Sequence, residues 1–286
     1  MFTPKRYKKL ACILPFLLLL SACQATPKIT PPPARPLETQ SYVEPIPVVP
    51  DIALPSYFPD GEWDVSNIDV SEIDPSKKLI AFTFDDAPSK TLENILAVFA
   101  SFNETHLDCK ANATVFCNGH LINQASLQTL HAVSALGFEL GNHTYSHPNL
   151  TKLSPSEIQT EIENTDALLK CVDGQPIHLF RAPFGAINET VKSLVTTPVI
   201  DWTIDTLDWS GVSEEEVYNS VFNQKFDGAI VLMHDGYPNT VSALKRLLPD
   251  LAAENYQVVS VSQMAKVNGC ALKTGKVYIR ARKSEA

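Results

Sequence analysis

Lys78-Leu-Ile-Ala-Phe-Thr-Phe84 is a continuous, β-prone apolar run that breaks at Asp85-Asp86-Ala87-Pro88. Such a run reads as a buried strand, and the Asp-Asp-Ala-Pro that follows reads as its turn. Working outward, Thr91 to Phe102 has helical spacing, and Ala113 to Cys117 is a second short strand. Ser126 to Leu136 is helical and stops at Gly137; Phe138 to Leu140 makes a third strand running into Gly141-Asn142-His143. Ser154-Pro155-Ser156-Glu157 is a capping box with proline at the first helical position, opening a helix to about Lys170. Leu179-Phe180-Arg181, Val199 to Thr203 and Ala229 to Met233 read as further strands, with a helix behind Ser213-Glu214-Glu215-Glu216. A helix from about Thr240 to Glu254 and a strand at Gln257 to Val261 close the pattern. Strands alternating with helices predict an α/β chain with a parallel sheet or barrel, of about seven β/α units for this length. The reactive residues all sit at or just after strand C-terminal ends, the face where barrels of this type build active sites.

Asp85 and Asp86 are adjacent carboxylates at such an end. Side chains alternate along an extended strand, so the two are expected to point to opposite sides and to take different roles. His143 and His147 stand at i, i+4 in Gly-Asn-His-Thr-Tyr-Ser-His-Pro. On one helical turn that spacing puts both imidazoles on one face, and with a carboxylate from a neighbouring strand end they form a His₂Asp set. Three protein ligands with an open position are the catalytic zinc pattern, which lowers the pKa of a bound water to ~7. His234 ends the apolar strand Ile230-Val231-Leu232-Met233 and is a candidate general acid. Asp205, Asp208 and Trp209 supply carboxylates and a flat apolar wall, and Arg181 is a fixed charge able to hold a carboxylate ionised. His106, His120, His131 and His178 lie outside these strand ends and read as surface or core residues.

The formal charge of −9 argues against a nucleic-acid partner, which needs a basic face, and favours a neutral substrate. Lys5, Arg6, Lys8 and Lys9 precede an apolar run from Leu10 to Leu20, which has the length of a signal-peptide core. Leu20-Ser21-Ala22-Cys23 resembles a bacterial lipobox, which implies residues 1–22 as a lipoprotein signal peptide and Cys23 as the lipidated residue. Loss of the four basic residues with that leader takes the charge from −9 to −13. Residues 23–59 then form a proline-rich, semi-rigid linker, and residues 60–286 one sizeable α/β domain. Of six cysteines, Cys109, Cys117, Cys171 and Cys270 remain in an exported domain, an even number that allows two disulfides. Cys109–Cys117 with Cys171–Cys270 is the preferred pairing, since the first two are close enough to tie a local loop.

Five segments in this order resemble the polysaccharide deacetylase family, the NodB-homology domains of carbohydrate esterase family 4, over about residues 78–267. They are Thr83-Phe-Asp-Asp86, His143-Thr-Tyr-Ser-His147-Pro, Arg181-Ala-Pro-Phe-Gly185, Asp205-Thr-Leu-Asp208-Trp209 and Leu232-Met-His234. The resemblance implies a distorted (β/α)7 barrel and a hydrolase that removes acetyl groups from a carbohydrate; the lipobox adds the expectation of an exported, membrane-tethered protein, and a monomer is expected. The N-acetyl groups of a peptidoglycan or chitin type glycan are the expected target. Asp85 would be the base and Asp86, His143 and His147 the ligands of a divalent metal, Zn²⁺ with Co²⁺ or Ni²⁺ as alternatives. Arg181 would pair with Asp85, and His234, supported by Asp208, would be the acid. Trp209 and Leu232 would line the acetyl pocket, and the Phe184 N–H would help stabilise the oxyanion. Two positions depart from the family: Ala87 stands where glycine is usual, a strain of about 1 kcal/mol if φ there is positive, and Phe184 where tyrosine is common. O-deacetylation of acetylxylan, a small-molecule amidase and an inactive glycan-binding lipoprotein are the competing readings.

Overall fold

The computed structural model describes residues 61–282. β1 (Lys78–Ala87) is buried along almost its whole length, as expected of a strand with parallel neighbours and helices over its outer face. In chain order follow α1 (Leu92–Thr105), β2 (Thr114–Cys117), α2 (Leu127–Ala135), β3 (Glu139–Asn142), α3 (Pro155–Asp173) and β4 (Leu179–Phe180). Then come α4 (Glu189–Leu194), β5 (Val199–Ile200), β6 (Ile204–Asp205), α5 (Glu214–Phe222) and β7 (Ala229–His234). α6 (Pro238–Ala253), β8 (Tyr256–Val259), α7 (Val261–Asn268) and β9 (Val277–Tyr278) complete the fold. The strands lie in the order β6-β7-β1-β2-β3-β4-β5-β9, with β8 on the first residues of β1. The ladders between them are parallel. The curled parallel sheet with helices outside it is the distorted (β/α)7 barrel that the sequence leads one to expect.

Local chemistry sets the helix ends. Ser154 and Glu157 form a reciprocal capping box at α3, and Gly174 ends that helix at φ 79°. Ser213 with Glu216 caps α5, and Ser260 with Gln263 caps α7, in the same way. α7 occupies residues that the sequence pattern joined to the preceding strand, so β8 stops at Val259. The segment Val199 to Thr203 also divides. The Asp201 N–H donates to the Tyr278 carbonyl (2.8 Å) and the Thr203 N–H to the Ile230 carbonyl (3.0 Å), so the chain changes partner strand in mid-run.

The expected disulfides are corrected: all four cysteines are free. β2 runs between Cys109 and Cys117. Cys109 Sγ lies against the Tyr256 carbonyl at the start of β8, while Cys117 Sγ faces the Val115 carbonyl at the end of β2. Cys171 is exposed on α3, and Cys270 lies beyond α7. No helix of the described residues is long and apolar enough to cross a membrane. Residues 1–22, Cys23 and the linker to residue 59 lie outside the described residues.

Candidate active site

The period of two along each strand decides what faces the barrel interior. On β1, Ile80, Phe82 and Phe84 pack outward with Phe99 of α1 and Leu244 of α6. Leu79 and Ala81 join Phe116, Leu179, Ile200 and Ile230 in a separate inner cluster. Continuing by twos carries the inner face from Ala81 to Thr83 and Asp85, from Leu179 to Arg181, and from Ile230 to Leu232 and His234. The β1–β7 register sets Asp85 opposite His234. One face of the sheet thus changes from apolar at its N-terminal end to reactive at its C-terminal end.

Among the described residues Arg181 is the largest fully buried side chain. Its Nη1 donates to Asp85 Oδ1 (2.7 Å) and Thr83 Oγ1 (2.7 Å). Nε donates to the Ile200 carbonyl (2.9 Å) and Nη2 to the Asp201 carbonyl (3.3 Å). The guanidinium carbon lies 4.3 Å from the centre of the Phe116 ring, which packs over Gly141 where any β-carbon would collide with it. Asp85 is only 3% exposed. Burial alone would push its carboxyl up, but the charge of Arg181, then those of His143 and His234, outweigh it and hold the group below the usual aspartate range.

Asp86 is not on the opposite side from Asp85. Its φ of 63° and a register shift between Phe84 and Ala87 in the β1–β2 ladder break the strand alternation. Both carboxylates therefore approach one imidazole: His143 Nε2 lies 3.6 Å from Asp85 Oδ2 and 3.8 Å from Asp86 Oδ1. Nor do the two histidines share a helical turn. Residues 143–149 form a loop after β3, in which Thr144 (φ 68°) and His147 (φ 58°) take left-handed conformations. That loop returns His147 Nε2 to 3.4 Å from Asp86 Oδ1. Strained residues gathered at one mouth are typical of functional sites.

Asp86, His143 and His147 offer ligand atoms that all lie within 4.8 Å of one another. Their chemistry fits a divalent cation. His143 Nδ1–H donates to the Arg181 carbonyl (2.9 Å), which fixes the proton there and leaves Nε2 as the free lone pair aimed into the cluster. Burial, followed by the neighbouring His143, holds His147 below the ordinary imidazole value and so in the ligating, neutral form.

Across the mouth, His234 Nδ1–H donates to Asp208 Oδ1 (2.7 Å). Burial disfavours the imidazolium, but the Asp208 hydrogen bond and the Asp85 charge more than compensate, so the ring is held above its ordinary value. Asp208 is itself buried and also accepts from the backbone N–H groups of Trp209 (3.0 Å) and His234 (2.8 Å). Asp205 is spent on its own turn, accepting from the Leu207 N–H (2.9 Å).

Leu232 lies in the barrel wall on the same strand face as His234, and Trp209 stands half exposed beside Asp208. Phe184 is 69% exposed, with its ring 4.6 Å from that of His147, and its backbone is left-handed (φ 61°). Tyrosine at that position would alter only an exposed ring. The strain expected at Ala87 if its φ were positive does not arise, since the positive φ falls on Asp86 instead. Sequence reading missed Thr83, which shares the Arg181 guanidinium, and Asp235. The latter accepts from the Ser89 N–H and hydroxyl and so ties the loop after Asp86 to β7. It also missed Thr240, whose hydroxyl reaches Asp208. Asp235 was visible in His-Asp-Gly; Thr240, inside a helix, gave no signal.

Fold and site together define a parallel α/β barrel with one Asp/His/His cluster and a buried, arginine-paired carboxylate at its C-terminal mouth. A family model described as polysaccharide deacetylase matches residues 72–197. The chain is 31% identical over 213 residues to a peptidoglycan-N-acetylglucosamine deacetylase of Bacillus cereus, covering 71% of this chain and 92% of that protein. It is 34% identical over 196 residues to the peptidoglycan-N-acetylmuramic acid deacetylase PdaC of Bacillus subtilis. That match covers 68% of this chain and 40% of the relative, so the chain spans under half of that curated protein's length. Among solved structures, a family 4 acetyl xylan esterase from Clostridium thermocellum, in complex with a cobalt ion, superposes with a TM-score of 0.66 at 26% identity. It covers 71% of this chain and 98% of that one. The chain belongs to the polysaccharide deacetylase family.

Proposed function

We propose that this chain hydrolyses acetyl groups from a carbohydrate, and that its target is the N-acetyl group of an N-acetylglucosamine-containing glycan of peptidoglycan or chitin type. The observation that carries this reading is the pairing of two proton-transfer groups of opposite bias around one ligand cluster. Arg181 biases Asp85 toward its ionised form, and the Asp208 hydrogen bond and the Asp85 charge bias His234 toward its protonated form. An ionised carboxylate takes a proton from the attacking water, and an imidazolium gives one to the departing amine. Environments that push two titratable groups apart are how one site carries a base and an acid at the same pH.

Asp86, His143 and His147 would hold the divalent ion, Zn²⁺ in this reading. Bound there, the ion supplies Lewis acidity and a water acidic enough to be deprotonated near neutral pH. Asp85 sits beside the cluster without belonging to it and serves as base. Arg181 orients Asp85 through Nη1, while its remaining donors tie it to the β5 end. The Phe184 N–H serves the oxyanion, and Trp209 with Leu232 bounds the acetyl methyl. Retention of base, ligands and acid together favours an active enzyme over a glycan-binding relic.

The names of the Bacillus relatives support peptidoglycan as the polymer, and the acetyl xylan esterase likeness supports O-deacetylation of xylan as the second reading. We further read the chain as an exported monomer, tethered to a bacterial membrane through lipid on Cys23, with the proline-rich segment giving it reach. Acetate release from peptidoglycan, chito-oligosaccharides, poly-N-acetylglucosamine and acetylated xylan, with and without chelator, tests the reaction. Metal-dependent release from an N-acetylated polymer is expected; release from xylan alone moves the reading to ester hydrolysis. Metabolic labelling with a radioactive fatty acid, lost in Cys23→Ser, tests the anchor.

A further inference from the structure

The Asp208 carboxylate is fully occupied. Oδ1 accepts from His234 Nδ1–H (2.7 Å) and the Trp209 N–H (3.0 Å). Oδ2 accepts from the His234 N–H (2.8 Å) and the Thr240 hydroxyl (2.5 Å). A carboxylate offers about four lone-pair sites, and all four are filled. Three of these donors are Trp209, next to Asp208 in sequence, and the two N–H groups of His234. The fourth arrives from the first turn of α6 and is completely buried.

The rest of that turn reinforces the grip. Asn239 Nδ2 donates to the carbonyls of Asp208 (2.9 Å) and Val212 (2.9 Å), and its Oδ1 accepts from the Thr240 N–H (3.1 Å). Asn and Thr near a helix start usually cap the helix itself. Here the N-cap position, Tyr237, makes no side-chain cap bond, and the two polar side chains behind it reach across to Asp208 instead. An exposed helix start would have no use for a buried hydroxyl pointed at a neighbouring loop.

We infer that Thr240 is a positioning residue for proton delivery: by occupying Oδ2, it fixes the plane of the Asp208 carboxylate so that Oδ1 stays on His234 Nδ1. That contact keeps the proton of His234 on Nδ1 and leaves Nε2 as the atom that exchanges a proton with the substrate. Without the hydroxyl, the buried Oδ2 lacks one donor and the carboxylate is free to turn toward the two backbone N–H groups. The inference rests on the reading of His234 as proton donor.

Thr240→Val removes the hydroxyl at constant volume, and Thr240→Ser restores it. With zinc-loaded full-length protein and N-acetylated chito-oligosaccharide, kcat of Thr240→Val is expected to fall about tenfold or more, with KM within twofold of wild type. Thr240→Ser should recover most of it. A second readout needs no turnover: in ¹⁵N-histidine-labelled protein, the hydrogen-bonded Nδ1–H proton of His234 should be visible in wild type and Thr240→Ser and lost in Thr240→Val. Should Thr240→Val not fold, Thr240→Ala takes its place in both assays. Persistence of that resonance in the variant overturns the inference whatever the rates do, and so does a Thr240→Ser variant as impaired as Thr240→Val. If wild type releases no acetate, the proposed activity fails while the resonance still decides the role of Thr240.

Discussion

Arg181→Met is the perturbation with the largest effect to be expected outside the ligand cluster. The variant loses donors to Asp85, Thr83, Ile200 and Asp201, and leaves Asp85, 3% exposed, without its charge partner. Breaking a buried ion pair from one side costs about 3–5 kcal/mol. At about 2–4 °C per kcal/mol for a domain of this size, the melting temperature should fall by about 6–20 °C. The pH dependence gives a sharper criterion. In the wild type, the Asp85 carboxyl is held below its ordinary value. Its ionised form therefore stabilises the fold above pH ~3.9, and that stabilisation is lost as pH falls through the lower folded value. Without Arg181 the strongest attractive charge is gone while burial still raises the carboxyl, so the sign reverses. Ionised Asp85 then destabilises the variant, and protonation relieves it. Urea unfolding of metal-free protein should show a wide gap between wild type and Arg181→Met at pH 7 that narrows at pH 4. Asp85→Asn added to Arg181→Met should restore part of the loss at pH 7. A cost under about 1 kcal/mol, a gap independent of pH, or further destabilisation in the double variant would refute the reasoning.

Two other outcomes follow from the same geometry. His178, buried between α3 and β4, donates from Nδ1 to Asp166 (2.8 Å) and from Nε2 to Asp173 (3.3 Å). Burial opposes its charge, but the two carboxylates outweigh that and raise its pKa to about 9. Its stabilisation should be complete below pH ~6.5 and fade as pH rises through about 9, a few kcal/mol at most; His178→Gln should flatten that decline in urea midpoints. His147→Ala, at a half-buried loop position, should weaken zinc binding at least a hundredfold by calorimetry while moving the metal-free stability by under about 1 kcal/mol.

The order of strands and helices was legible because punctuation accompanied it: Asp85-Asp86 after an apolar run, the Ser154 and Ser213 caps, and Gly137 at a helix end. α7 was equally legible in principle, since Ser260-Val-Ser-Gln263 has the capping-box pattern, but the apolar run before it hid the boundary. The ligand identities came through while their geometry did not. The spacing of His143 and His147 resembles a helical turn, yet a loop with two left-handed residues brings them together. Asp86 joins them through a backbone inversion that no spacing encodes. A strand buried on both faces also conceals which residues look inward, so the convergence of Thr83, Asp85, Arg181 and His234 depends on inter-strand register. Thr240 is least legible of all, because its role exists only once α6 docks against the Asp208 loop. The cysteine count suggested bridges, but nearness in sequence did not carry over: Cys109 Sγ lies at the Tyr256 carbonyl and Cys117 Sγ at the Val115 carbonyl, and all four cysteines are free.

The central claim is that Asp85 moves a proton and does not hold the metal, although it lies only 3.6 Å from His143 Nε2. The direct test pairs zinc calorimetry with acetate release from an N-acetylated glycan in wild type and Asp85→Asn. The account predicts zinc affinity within a few-fold of wild type and turnover reduced by about 10²–10⁴. Retained turnover, or loss of zinc binding along with activity, would contradict it.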